Sequence, residues 1–81
     1  MGDPAERARL TWRCRRGMLE LDLLLGGFMA RGYDAMSEMQ QHHFHRLLEY
    51  PDQELLEYLL LQRAAPSSEL ADIVTKIRNA V

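Results

Sequence analysis

The chain of 81 residues holds one cysteine, Cys14, so no disulfide can form within it, and a compartment that keeps thiols reduced suits it best. No basic, apolar, small-residue leader opens the sequence. No uncharged apolar run reaches the roughly 18 to 20 residues that span a bilayer. Glu20, Asp22 and Arg31 interrupt the most apolar stretch, and membrane insertion is not expected. Alternating strand patterns, internal repeats and low-complexity segments are absent, which removes the all-β, solenoid and disordered classes. A glycine-rich phosphate loop between a strand and a helix is absent too, which argues against a nucleotide-binding fold of that kind.

What is present is the balance of a folded helical protein. Apolar residues make up 47% of the chain and charged ones 27%, unlike the charge-rich composition of disordered chains. A chain this short buries only roughly 60 to 65% of its unfolded surface, so a single domain over residues 1–81 is expected and its packing has to be good. The formal charge of −2 is uneven. Residues 1–16 carry five arginines against Asp3 and Glu6, a local +3, and the remainder carries five basic and ten acidic residues, a local −5. Nucleic acid would meet repulsion from most of such a molecule and is not an expected partner.

Five helices are predicted, over residues 4–15, 18–31, 37–49, 52–62 and 67–80, packed as an all-α five-helix bundle. Asp3 is placed to cap the first, with Pro4 at its first position and Glu6 completing a capping box. Leu10 and Cys14, four apart, give that helix a narrow apolar face. Gly17 is a natural joint to a second helix that is apolar on most sides and is predicted to be central, with Gly26-Gly27 marking close approach of a neighbouring backbone. Ser37 to Gln40 forms another capping box, ahead of an apolar stripe of Met36, Met39, Phe44, Leu47 and Leu48. Asp52 is predicted to cap the fourth helix, on which Leu55, Leu56, Leu59 and Leu60 form two rows. Ser67 caps a fifth, with Leu70, Ile73, Val74, Ile77 and Val81 in register.

Two groups invite chemistry and fail to support it. His42 and His45 lie three apart on one helical face, but no cysteine or paired carboxylate at ligand spacing joins them or His43, and no metal site is expected. Cys14 is flanked by Arg13 and Arg15, yet its register with Leu10 predicts burial and no histidine lies nearby in sequence to act as base, so a nucleophilic role is not expected.

The remaining feature is the run from Trp12 to Asp22. Arg9, Trp12 and Arg15 combine an aromatic with cations, the composition of interface anchors. Arg16 and Glu20 would pair as an i, i+4 ion pair if one helix continued through Gly17. A glycine between a displayed arginine and a displayed carboxylate instead clears side-chain bulk where a partner's backbone can approach. Arg16, Gly17 and Glu20, with Arg9, Trp12, Arg15, Met18 and Asp22 around them, are the candidate partner-binding residues.

The stretch Trp12-Arg13-Cys14-Arg15-Arg16-Gly17-Met18-Leu19-Glu20-Leu21-Asp22 resembles the Arg-Gly-x-x-Glu signature of the SdhE-type FAD assembly factors of succinate dehydrogenase. A second block, Phe44 to Glu49 followed by Asp52 to Leu59, is similar to the family's third and fourth helices, with Tyr58 where the family often has tryptophan. The resemblance implies a five-helix protein that is not an enzyme. Such a protein binds the flavoprotein subunit of succinate dehydrogenase, and often of fumarate reductase, and promotes covalent attachment of FAD to a histidine there. It implies that Arg16, Gly17 and Glu20 contact the flavoprotein and that FAD belongs to the partner and is not held stably by this chain. A monomer is the expected state of the free protein. The bacterial cytoplasm is the expected location, or the mitochondrial matrix for a processed eukaryotic protein. The alternatives are a direct FAD carrier, or an antitoxin-like or nucleic-acid-binding helical regulator resting on the basic first helix alone.

Overall fold

Five α-helices and one 3-10 turn are the regular elements among the described residues, 4–80 of a computed structural model, and no strand occurs among them. The order is α1 (Pro4–Arg13), α2 (Leu19–Arg31), the 3-10 turn (Tyr33–Ala35), α3 (Glu38–Leu47), α4 (Asp52–Leu60) and α5 (Ser68–Asn79). The caps proposed at Ser37 and Ser67 form. The Ser37 hydroxyl accepts from the Gln40 N–H while the Gln40 amide oxygen accepts from the Ser37 N–H, and the Ser67 hydroxyl accepts from Leu70. The cap proposed at Asp3 and the core position proposed at Val81 lie outside the described residues.

The core forms where α5 lies across α2, α3 and α4. Its four buried residues, Leu70, Ile73, Val74 and Ile77, follow the spacing that puts one face against neighbours. They meet Leu21, Leu25, Phe28 and Met29 of α2, Phe44 and Leu47 of α3, and Leu55, Tyr58 and Leu59 of α4 in one cluster. Phe28 and Phe44 pack with ring centroids 5.2 Å apart, and Tyr50 meets Tyr58 edge-on at 5.8 Å, so Tyr58 fills its aromatic position from within the core. Such pairs add about 0.5–1.5 kcal/mol beyond the area they bury. α1 contributes only Leu10 from its helical span, with Cys14 just beyond its end.

Several expectations are corrected. α2 is not wrapped on all sides: Leu23 is 66% exposed and Leu19 is exposed as well, and α5 takes the central place instead. Met39 is 70% exposed. It stands five residues before Phe44, a rotation that leaves it about 140° away from that ring around the helix axis. No neighbouring backbone approaches Gly26, where an added Cβ would meet nothing within 4 Å, and Gly27 faces the side chain of Arg31 from its own helix. The close approach falls at Gly32 instead, where a Cβ would stand 2.7 Å from the Phe28 ring. Pro51, not Asp52, occupies the cap position of α4, and Asp52 is the first helical residue.

Phe44→Ala is expected to cost about 3–5 kcal/mol, a large share of the ~4–12 kcal/mol available to a chain of this length. Urea denaturation followed by far-ultraviolet circular dichroism measures it, and an unshifted midpoint would contradict the placement of Phe44 at the centre of the core.

Candidate protein-docking site

The joint between α1 and α2 is built from local constraints. The Cys14 N–H is shared between the carbonyls of Leu10 (3.2 Å) and Thr11 (3.1 Å), and the Arg15 N–H bonds Trp12 (3.0 Å). The helix therefore tightens and stops at Arg13, two residues before the expected end. Cys14 then drops into the core and Gly17 turns the chain at φ +81°. A left-handed residue in the linker rules out one continuous helix, and with it the geometry that would have paired Arg16 with Glu20. Met18 stands extended ahead of α2, and the Asp22 carboxylate folds back to accept the Arg16 backbone N–H at 2.6 Å.

Arg16 is turned inward, contrary to the displayed position expected for it, and its side chain is 16% exposed. Nε donates to Asp52 Oδ1 at 2.7 Å, Nη1 to the carbonyls of Arg13 (3.0 Å) and Leu48 (3.1 Å), and Nη2 to the carbonyl of Tyr50 (3.0 Å). Leu48 and Tyr50 lie in the turn after α3, where helix-end carbonyls lack partners within the helix, and a cation is favoured there. One guanidinium thus ties the α1–α2 joint to the α3–α4 corner.

Two other arginines of the basic end are also used internally. Arg7 pairs with Asp34 at 2.6 Å and donates to the Met29 carbonyl at 2.9 Å, and Arg13 donates to the His45 carbonyl at 3.2 Å. What remains outward is a distinct set. Trp12 is 72% exposed with the Arg15 guanidinium 5.9 Å from its ring centroid, while Arg9 and Glu20 are exposed with no hydrogen bond or ion pair among the described residues. Gly17 is exposed and a Cβ there would meet nothing within 4 Å. Leu19 and Leu23, four apart and exposed, extend this surface along α2, and sequence reasoning missed them because it read this helix as apolar on most sides and central. Met18 is half-buried against the core cluster, and Asp22 is half-buried and occupied by the Arg16 backbone.

The groups that suggested chemistry have other partners. Burial pushes the Cys14 thiol up to about 11, against a smaller opposing pull from Arg16 and Arg13, so it stays protonated at neutral pH. His45 Nε2 lies 2.9 Å from the Tyr33 hydroxyl, with its pKa lowered by burial and then by Arg13 and His42, and His43 lies 3.6 Å from Glu69. His43 and His45 thus look toward different neighbours, and no three His, Cys, Asp or Glu side chains among the described residues are placed to hold a metal.

The result is a small helical protein whose polar side chains hold its own backbone, while an aromatic, two leucines and unpaired charges face outward. The chain belongs to the family described as "Flavinator of succinate dehydrogenase", whose profile matches residues 8–81. It is similar to proteins named FAD assembly factor SdhE. That of Legionella pneumophila (strain Paris) is 47% identical over 77 residues, 95% of this chain and 96% of the relative. That of Coxiella burnetii is 37% identical over 78 residues, 96% and 95%, and that of Vibrio parahaemolyticus is 39% identical over 77 residues, 95% and 90%.

The buried thiol has a measurable consequence. Its ordinary value of 9.0 rises to about 11 on folding, so the folded state favours the neutral thiol. That contribution to stability is complete below pH 9 and is lost as pH rises towards 11. Denaturation midpoints of wild type and Cys14→Ala, each measured from pH 7 to 11, should show a steeper alkaline decline in the wild type. At pH 8 an aromatic disulfide reagent should label Cys14 slowly until urea is added, and rapid labelling of the folded protein would contradict the assignment.

Proposed function

We propose that this chain is an assembly factor that docks on the flavoprotein subunit of succinate dehydrogenase, and on that of fumarate reductase, and so promotes covalent attachment of FAD to a histidine of the subunit. The single observation that carries the docking surface is Gly17: a positive φ on an exposed linker, open space at its Cβ, and the unpaired Glu20 just beyond it. A backbone bare of side-chain bulk lets a partner approach closely. Glu20 supplies a charge for recognition, with Trp12, Arg15, Arg9 and Met18 around them. Arg16 and Asp22 take part by holding the linker in the shape it presents.

FAD belongs to the partner and would supply the 8-methyl carbon, where a C–H bond gives way to a C–N bond to the partner's histidine while the two electrons released pass to the flavin ring itself and the proton leaves. This chain contributes position: a docked helper restricts the flavoprotein to geometries in which its own groups reach one another, and well-oriented reactants gain large effective concentrations. On this reading the chain does not hold FAD stably, which the lack of a strand-to-helix phosphate loop among the described residues supports. Three of the five N-terminal arginines are bound to this chain's own backbone and carboxylates, which supports a protein partner over nucleic acid. The free protein is a monomer and works in the bacterial cytoplasm, or in the mitochondrial matrix if it is a processed eukaryotic protein.

Gly17→Arg tests the reading. A side chain at φ +81° costs about 1–2 kcal/mol, which the fold survives, so the circular-dichroism spectrum should stay helical while covalent flavin, read by in-gel fluorescence of the subunit, is lost. Glu20→Ala should weaken complex formation with a change in stability under ~0.5 kcal/mol, the scale of surface substitutions. Unchanged flavin attachment in both variants would sink the proposal.

A further inference from the structure

Asp52 lies on α4, 36 residues from Arg16 in sequence, and its Oδ1 accepts from Arg16 Nε at 2.7 Å. Arg16 has a second tie at its backbone, where its N–H donates to Asp22 on α2. The linker that carries Gly17 is therefore held between two carboxylates, one on each side of a single residue. The ion pair is partly shielded, with the side chains of Arg16 and Asp52 16% and 44% exposed. A guanidinium so placed needs its counter-ion more than a surface arginine does. The alternative acceptor is close by in sequence: Glu20, exposed and unpaired among the described residues, follows Arg16 by four positions.

We infer that Asp52 is a positioning residue of the docking surface, which keeps the Arg16 guanidinium seated on the α3–α4 corner and so leaves Glu20 free for the partner. The inference rests on the docking reading above. Without the Asp52 carboxylate, the Arg16 guanidinium loses its only carboxylate partner among the described residues, and it is free to swing outward. There it occludes Gly17 and neutralises Glu20. The three carbonyl bonds of the guanidinium hold it less firmly than a charged acceptor does, because hydrogen bonds between ionised groups are roughly twice as strong as neutral ones.

The test uses the full chain and the purified flavoprotein subunit of succinate dehydrogenase, with affinity measured by titration and the Arg16 Nε–H followed by nuclear magnetic resonance. Asp52→Ala should bind about tenfold more weakly, the fold-change that loss of one charge-assisted hydrogen bond produces, and its Arg16 Nε–H should exchange rapidly with water. Asp52→Asn retains an acceptor oxygen but not the charge, so it should restore part of the affinity and of the slow exchange, a partial rescue that a role in helix stability alone would not produce. If Asp52→Ala loses its helical spectrum, Asp52→Ser, which keeps a polar side chain in the first turn and reaches less far, takes its place with the same expectation. Wild-type affinity in the Ala or Ser variant overturns the inference, as does an Asn variant as weak as the Ala one. Gly17→Arg separates the two claims. If it blocks binding while Asp52→Ala does not, only the role of Asp52 falls, and if Gly17→Arg binds normally the docking surface and the inference fall together.

Discussion

A guanidinium drawn out of water must find acceptors in the plane of its donors, and the shape of this protein's outward loop follows from how Arg16 meets that demand. Its donors reach Asp52 and the carbonyls of Arg13, Leu48 and Tyr50, so one side chain joins the ends of α1 and α3 to the start of α4. A lysine offers a point charge on a flexible stem and could not span these acceptors with the same geometry. The arrangement also explains why the linker can be so exposed and still defined: the order is imposed from beneath, leaving the outer side clear.

The hydrophobic core supplies the rigid base for that clamp. α5 contacts α2, α3 and α4, and its four buried residues connect three helices that share few contacts otherwise. α1 stands apart from this arrangement. With one buried leucine in its helix, it is tied down by Arg7, Arg13 and Arg16 and by Cys14 beyond its end. Attachment through polar straps leaves the other face of α1 in solvent, since an apolar face wide enough to hold the helix would have consumed Trp12 as well.

Much of this was legible in the residues. The all-α class, the caps at Ser37 and Ser67, the burial of Cys14 and the stripe on α5 all follow from local rules that the tertiary structure does not override. The resemblance around Arg16, Gly17 and Glu20 pointed to the family that the comparisons confirm. What local rules could not give was the destination of long side chains. Arg16 sits where an i, i+4 partner is expected in Glu20, and its true partner is 36 positions away. Asp52 has the composition of a cap, yet Pro51 takes that position and frees the carboxylate for a tertiary bond. Leu19, Leu23 and Met39 are apolar and exposed, which a count of hydrophobic residues assigns to the interior. Periodicity reports which residues share a face, and only the neighbours decide whether that face is covered.

Trp12 is the sole tryptophan of the chain, and it stands largely in water on α1. Its indole is solvated in the folded state much as in the unfolded one, so emission from this residue is a poor reporter of whether the core has formed. The same solvation makes it a sensitive reporter of anything that settles on the α1 side of the molecule, because a covering surface would strip water from the ring and disturb the arginine stacked on it. The protein thus carries a built-in optical probe that is nearly silent to its own folding and responsive to company.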